Sequence, residues 1–502
     1  MPVIESKVDT RSKGFQENRA AMLEKIEEVQ GLEAKIAEHS ARAKPRFVER
    51  GALLPRERLA LLLDRDQPFV PISSLAGYKM HDDDGDETIS GGGQIAGIGS
   101  VAGTHCLVVA SDSGIKGGAL SQGGVKKVIR CHDIARENKL PMVNLVESAG
   151  ANLLRQADIF VMGGRTFCNQ ARLSAEGIPQ ITVVHGSSTA GGAYLPGMSD
   201  YTIVVRDRAK IFLAGPPLTK SALGEDATDE ELGGAVLHAT VTGLAEYMAE
   251  DDAHAIAIAR DVVAGLDWNA DLPPRPARDY AEPLYPIDDV LGIVNVDYRK
   301  PYEVRELIAR LVDGSDFLDF KPLFDTQTVC GTATIEGWRC GIIANNGPIT
   351  PQGSVKGAQF IQLCCQAGTP ILYLHNTTGY MVGKDAEAGG AIKHGSKMIQ
   401  AVANAIAVMG GEQAAGVMKI VETAKYKRRG GPVPTKQIQA MHDGIVAAIE
   451  EESKALYATA RLWDDGIIDP RDSRRLFGFL LGLCWEAEHR ALNPNSYGVA
   501  RG

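Results

Sequence analysis

Short apolar runs rich in β-branched residues alternate along this chain with longer segments whose apolar residues recur at helical spacing. The pattern predicts strands at 95–101, 105–110, 141–147, 180–185 and 202–206, and helices near 122–138, 165–176, 190–197 and 251–264. Such alternation implies an α/β fold with crossover connections rather than a sandwich. Residues 15–43 interleave Glu, Lys and Arg with Ala, Leu, Met and Ile, which reads as a charged amphipathic helix, and Arg56 to Asp64 continue in helical period. The proline-rich stretch from Leu272 to Pro286 suits neither helix nor ladder and reads as a linker. The expected divisions are a helical segment at 1–45, a first domain at 46–271, the linker at 272–286 and a second domain at 287–502.

The same pattern occurs twice. Residues 97–112 line up with 331–346, so that Gly103 pairs with Gly337, Cys106 with Cys340 and Ala110 with Ala344. The echo continues through Gln122 to Lys127 against Gly353 to Gly357, and through Lys139 to Gly150 against Gly368 to Gly379. A period this long means two whole domains of one fold rather than a solenoid. A fold used twice suggests two related ligands.

Composition narrows the class without naming it. The chain has 502 residues, 44% apolar and 23% charged, enough for two or three domains with substantial cores. A net charge of −10 offers no general attraction for nucleic acid. The eight cysteines lack metal-ligand spacing, and Cys364-Cys365 are adjacent on an expected helix, so reduced, buried thiols are expected. No secretory signal and no membrane-spanning run are evident, which predicts a cytoplasmic (bacterial) or organelle-matrix protein, cytoplasmic preferred. The stretch from His81 to Glu87 is acidic but lacks the spacing of a calcium loop, and reads as a solvated turn.

The candidate chemistry lies in glycine clusters that follow strands. Val183 to Tyr194 reads as a buried strand, a polar turn and a helix starting near Gly191-Gly192. Amides at such a start can stabilise an oxyanion, and small residues leave those N–H groups accessible. Lys116-Gly117-Gly118 follows another strand and offers a further donor. Tight helix–strand packing would explain the same glycines. His185 ends an apolar strand and reads as a core histidine rather than a base, and no triad spacing or Walker loop is present.

At Ser188 to Tyr194, Phe212 to Leu218, Glu231 to Ala235, His375 to Gly383, Met409 to Gly416 and Leu462 to Pro470, the chain resembles the carboxyltransferase (β) subunits of biotin-dependent acyl-CoA carboxylases. The resemblance spans nearly the whole chain. It implies two crotonase-like (ClpP/crotonase superfamily) domains, one for the acyl-CoA and one for carboxybiotin. Gly191 and Gly192 would serve as the catalytic amides. Lys116, Gly117, Gly118, Gly163 and Ala193 would contact acyl-CoA, and Gly379 and Tyr380 would contact biotin. It also implies biotin carried by a biotin carboxylase/carboxyl carrier α subunit, β subunits forming a hexamer within an α6β6 complex, and no metal or ATP on this chain. Both reacting groups pass through enolates, so backbone amides can supply most of the catalysis. The branched-acyl members are nearest. Methylcrotonyl enzymes are expected to carry a bulky phenylalanine where this chain has Gly163, which favours geranyl-CoA, with methylcrotonyl-CoA as the alternative.

The repeat also exposes a departure. The first copy has a strand-turn-helix unit between Ile178 and Val205, whereas the second runs from the helix expected at 391–405 almost straight into Ala407-Val-Met-Gly410. The second copy is therefore expected to lack that unit, in the region where the resembled family places amides for biotin. A truncated, non-catalytic CoA-binding or assembly subunit thus competes with the enzyme reading. A single-domain hydratase or isomerase is weakened by the lack of paired glutamates near Gly191. The Met418-Lys419 pair resembles a biotinylation site, but its flanks read as helix rather than an exposed hairpin.

Overall fold

The computed structural model describes residues 2–150, 156–276, 279–297, 300–377, 379–402, 435–496 and 498–499. These residues form two units. The first comprises 29–274, 455–467 and 486–502, and the second 1–28, 275–454 and 468–485. The boundary at 274/275 falls within the expected linker, but the termini group differently from the sequence division. Contacts within each unit explain this. The N-terminal strand remnant bridges Val3 to Asp316, and Ser6 Oγ donates to Glu306 at 2.5 Å in the second unit. Asp465 pairs with Arg130, and Glu486 with His105, in the first.

In the first unit eight strands share one sheet: β1 (Val70–Pro71), β2 (Gln94–Val101), β3 (Thr104–Ser111), β4 (Met142–Ser148), β5 (Gln180–Thr189), β6 (Tyr201–Val205), β7 (Lys210–Phe212) and β8 (Tyr247–Ala249). Their order is β1-β2-β3-β4-β5-β6-β8, with β7 added to β5. β2 and β3 form an antiparallel hairpin, and β3 to β6 run parallel. Helices cover the faces, so β4 is buried along its whole length, and its polar residues Asn144, Glu147 and Ser148 are buried with it. The core joins Val108, Val143, Val183 and Ile203 to Ile256 and Val263 of the helix Asp252–Gly265.

In chain order the first six α-helices are α1 (Lys13–Ala41), α2 (Lys44–Glu49), α3 (Pro55–Leu62), α4 (Gln122–Glu137), α5 (Gln156–Glu176) and α6 (Tyr194–Met198). Helix α5 starts well before residue 165, where the pattern placed it. The expected start at 165 left Gly163-Gly164 outside the helix, but a glycine costs a helix only about 1 kcal/mol relative to alanine. Burial of Ile159 on the same helix offsets that cost.

The second unit holds β9 (Leu318–Asp319), β10 (Thr328–Ile335), β11 (Trp338–Asn345) and β12 (Ile371–Leu374), in the order β12-β11-β10-β9. Again the hairpin β10–β11 is antiparallel, and β11–β12 is parallel. Val304, Ile308, Val329, Ile342 and Leu481 form its core.

The units match in detail. The hairpin turns Ala102-Gly103 and Glu336-Gly337 have φ values of 48° and 79°, and of 49° and 75°. In one, Asp64 accepts from the amides of Ala102 and Gly103; in the other, Asp313 accepts from Glu336 and Gly337. A Cβ on Gly97 would come within 2.4 Å of the Phe69 ring, and one on Gly331 within 2.4 Å of the Phe317 ring. Ser121 and Thr350 cap the next helices at Gly124 and Gly353, and each helix buries a lysine, Lys127 or Lys356. The expected missing unit between Asn404 and Gly410, and the Lys419 decoy, lie outside the described residues.

Two smaller expectations resolve here. In the acidic turn, Asp83 accepts from the amides of Lys79, Gly85 and Ser90, and Asp84 from those of Asp86 and Thr88, so these carboxylates hold their own loop. None of the eight cysteines is in a disulfide, but Cys168, Cys365 and Cys484 sit on outward helix faces and are exposed rather than buried. Among the described residues, no helix is long and apolar enough to cross a membrane.

Candidate active site

In open α/β sheets ligands bind beyond the carboxyl ends of parallel strands. Here the loops leaving β3, β4 and β5 converge. The Ala149 amide donates to the Gly117 carbonyl at 3.0 Å, Ser148 Oγ to the Gly118 carbonyl at 2.8 Å, and the Leu120 amide to the Gly150 carbonyl at 2.9 Å. Gly150 in turn lies against Thr189 at the end of β5. Lys116, Gly117 and Gly118 all have positive φ, at 46°, 62° and 70°. Gly118 has no room for a side chain, because a Cβ would lie 2.2 Å from the Glu147 carbonyl oxygen. Lys116 turns away and pairs with Asp82 at 2.6 Å.

After β5, Ala190–Ala193 form a 3₁₀ turn that leads into α6. The first amides of such a turn have no carbonyl partner within it, which leaves Ala190 and Gly191 as first-turn donors. Ala190 is left-handed, at φ 52°, a strained setting for alanine. Gly191 is exposed and open around its Cα, whereas Ala193 is buried against Val184, Val204 and Ile211. The glycine turn thus stands beside the Ser148–Gly150 loop through the Gly150–Thr189 contact, with Gly191 at its exposed corner.

A cavity of about 420 Å³ lies under the same loops, lined by Arg46, Arg50, Ser113, Gly117, Glu147, Ser148 and Ser187 among others. Behind it is a charge network that the sequence did not reveal. Glu147 accepts from Arg58 Nη1 at 2.7 Å and from Ser113 Oγ at 2.9 Å, with Arg50 Nη1 at 3.5 Å. Arg58 is 2% exposed and also reaches Asp252 through Nε at 3.3 Å. Asp252 binds His185 Nδ1 at 2.7 Å, and its other oxygen takes Arg208 Nη1 at 3.2 Å and the Leu53 amide at 2.6 Å. Burial opposes ionisation of Asp252, yet the hydrogen bonds from His185, Arg58 and the Leu53 amide hold its carboxyl well below the usual range. Burial, aided by neighbouring Arg58, lowers His185 to about 4, so the imidazole is neutral and donates its Nδ1–H to Asp252. His185 is a buried partner of Asp252, not a base facing the cavity.

Three other expected site residues stand elsewhere. Gly163 lies inside α5, with nothing within 4 Å of the point where a Cβ would stand; four residues on, Phe167 meets Tyr194 of α6 edge-to-face at 5.5 Å. In the second unit Gly379 has φ 122° and open surroundings, but its N–H donates to Thr377 Oγ1 at 3.2 Å and its carbonyl accepts from Ile349 at 2.9 Å. The same two bonds occur at Gly150, to Ser148 Oγ and from the Leu120 amide. The Tyr380 ring packs on Gly395 and is 37% exposed, beside exposed Met381 and Val382.

The model of the carboxyl transferase domain matches residues 47–406 and 403–496. The chain belongs to the carboxyl transferase domain family. A probable biotin-dependent acyl-coenzyme A carboxylase beta2 subunit of Mycobacterium tuberculosis is 43% identical over 542 residues, covering 99% of this chain and 100% of that protein. A probable mitochondrial methylcrotonoyl-CoA carboxylase beta chain of Drosophila melanogaster is 41% identical over 99% of this chain and 95% of its own. The crystal structure of the geranyl-CoA carboxylase beta subunit from P. aeruginosa superposes with a TM-score of 0.92 at 54% identity, over 100% of both chains. What sequence reasoning missed was Glu147, Arg58 and Asp252. A glutamate closing an apolar strand and an arginine inside the apolar stretch Leu54–Leu63 were the available signals.

Proposed function

We propose that this chain is the carboxyltransferase component of a biotin-dependent acyl-CoA carboxylase. It would carboxylate the γ carbon of a branched unsaturated acyl-CoA, geranyl-CoA in preference to methylcrotonyl-CoA. The likeness to the geranyl-CoA carboxylase beta subunit, at 54% identity and a TM-score of 0.92, carries this reading. Gly163 supports the longer acyl chain: it sits one helical turn from the Phe167–Tyr194 contact, with open space where a side chain would stand. Gly191, with the Ser148–Gly150 loop beside it, would stabilise the thioester enolate oxygen. Gly192, the second expected catalytic amide, follows it in the turn; Ala193 anchors the turn from inside, and Gly117, flanked by Lys116 and Gly118, lines the cavity that would take the acyl-CoA. Arg46 and Arg50 line the same cavity and suit the phosphates of coenzyme A.

Biotin, delivered by a partner subunit, supplies the transferable carboxyl group. In the second unit Gly379 and Tyr380 fit it by shape. Gly379 leaves room beside its Cα, and Tyr380 offers a ring; the Gly379 amide is already engaged with Thr377. The matched hairpins, caps and buried lysines support descent of both units from one duplicated domain. The family match in two stretches meeting at 403–406, and a 542-residue alignment longer than this 502-residue chain, support a strand-turn-helix unit missing from the second copy. The same reading calls for a biotin carboxylase/carboxyl carrier α subunit and a β hexamer within an α6β6 complex. Exposed Leu213, Leu218 and Leu223 around one short helix, and Phe160 and Val161 on α5, support burial against other chains.

The test is a Gly163→Phe variant assayed with the α subunit on both esters. Turnover of geranyl-CoA is expected to fall at least tenfold more than that of methylcrotonyl-CoA. Equal loss on both would refute the pocket assignment, and no carboxylation of either ester by the unaltered chain would refute the function.

A further inference from the structure

The ladder between β4 and β5 carries an irregularity beside the glycine turn. Val146 pairs with Val184 and Ser148 with Ser188, so Glu147 alone stands opposite His185, Gly186 and Ser187. This bulge re-aims the last residues of β5, which lead directly into Ala190-Gly191-Gly192. Glu147 touches every segment that meets there. Its side chain fills the space over Gly186, where a Cβ would lie 2.8 Å from Glu147 Cγ. Its carbonyl packs on Gly118, and its carboxylate takes Ser113 from the loop after β3. Arg58 links that carboxylate to Asp252, which grips His185 at the other side of the bulge. The bulge is therefore held from both flanks by one continuous set of charge-assisted hydrogen bonds.

We propose that Glu147 is a positioning residue for carboxyl transfer: with Ser113, Arg58 and Asp252 it fixes the bulge at His185–Ser187 and so aims the Gly191 amide. Its role is not that of a base, because Arg58, Arg50 and Ser113 already occupy its carboxylate. Oxyanion donors must stand within a few tenths of an ångström of the developing charge, and losing one costs roughly 10²–10³ in kcat. A misaimed amide should cost part of that range. The inference rests on the reaction proposed above, and its test has an arm that does not.

Glu147→Gln keeps the volume and one acceptor while removing the charge. In the full chain with its α subunit, kcat is expected to fall about 10–100-fold, with KM for the acyl-CoA changed less than about threefold. Hydrogen exchange of the peptide spanning 186–193 should quicken in that variant by more than the fall in its denaturation midpoint accounts for. Ser113→Ala, a milder change, should move both readouts in the same direction, and it decides the matter should Glu147→Gln fail to fold. Unchanged exchange at 186–193, or a loss confined to KM, would overturn the proposal. A wild-type chain that carboxylates nothing would overturn the reaction assignment alone, leaving the exchange result to decide on positioning.

Discussion

Gly117 and Gly118 are adjacent, and both are left-handed, yet a methyl group on each would meet different surroundings. At Gly117 the nearest atom would be Ala149 Cβ at 3.6 Å, whereas at Gly118 it would be the Glu147 carbonyl oxygen at 2.2 Å. Gly117→Ala should therefore cost only the left-handed strain, about 1–2 kcal/mol. Gly118→Ala must also push β4 away from the loop, and should cost more than about 3 kcal/mol and most of the turnover. Urea denaturation of the two variants tests this, and equal costs would contradict it. Buried histidines set a pH dependence at the same scale. His132 and His185 are lowered to about 4 by burial, against about 6.5 in the unfolded chain. Between those values the unfolded chain takes up protons that the folded one refuses. Stability is then fully present above about pH 6.5 and declines as pH falls toward 4, by roughly 3 kcal/mol for each group. The urea midpoint should fall between about pH 7 and 4.5, and His132→Gln should flatten the fall. A midpoint constant over that range would show that neither imidazole resists protonation.

At the scale of elements, the hairpins β2–β3 and β10–β11 are built alike, down to the aspartate that holds each turn. Asp64 and Asp313 each satisfy two turn amides, and each also meets an arginine, Arg260 or Arg474. Replacing either by alanine should cost about 1–3 kcal/mol, from orphaned amides and a lost charged partner. The two costs should agree within about 1 kcal/mol if both turns follow one design. Hydrogen exchange at 102–103 and 336–337 would report each separately. These hairpins were legible in the sequence because Gly103 and Gly337 punctuate β-branched runs. The glycine turn at 190–193 was legible too, since Ala-Gly-Gly can hardly continue a strand, although Gly186 to Thr189, which read as a polar turn, belong to β5. The bulge at His185–Ser187 was not. It depends on Glu147, Arg58 and Asp252, which are far apart in sequence, and on charges buried only once the sheet forms. The early start of α5 was also hidden, because a Gly-Gly pair reads as a break until Ile159 is seen to be buried.

At the scale of the whole molecule, the two units carry the same loop geometry with different surroundings. Gly150 and Gly379 make the same pair of bonds, but Gly150 stands beside Thr189 and the Gly191 turn, and Gly379 leads into exposed Tyr380, Met381 and Val382. If one unit holds the acyl-CoA and the other the biotin group, substitutions in each should affect different steps. Tyr380→Ala removes a ring that packs on Gly395 without touching the charge network or the cavity near Glu147. Its expected result is a Kd for the CoA ester within about twofold of wild type, set by contacts it leaves intact. Overall carboxylation should drop about tenfold, since one stacked ring contributes roughly 1–1.5 kcal/mol. Calorimetry with the CoA ester, beside a coupled assay containing the α subunit, separates the two quantities. Parallel loss of CoA binding and turnover would mean that Tyr380 serves the acyl-CoA as well, and the division of labour between the two copies would have to be abandoned.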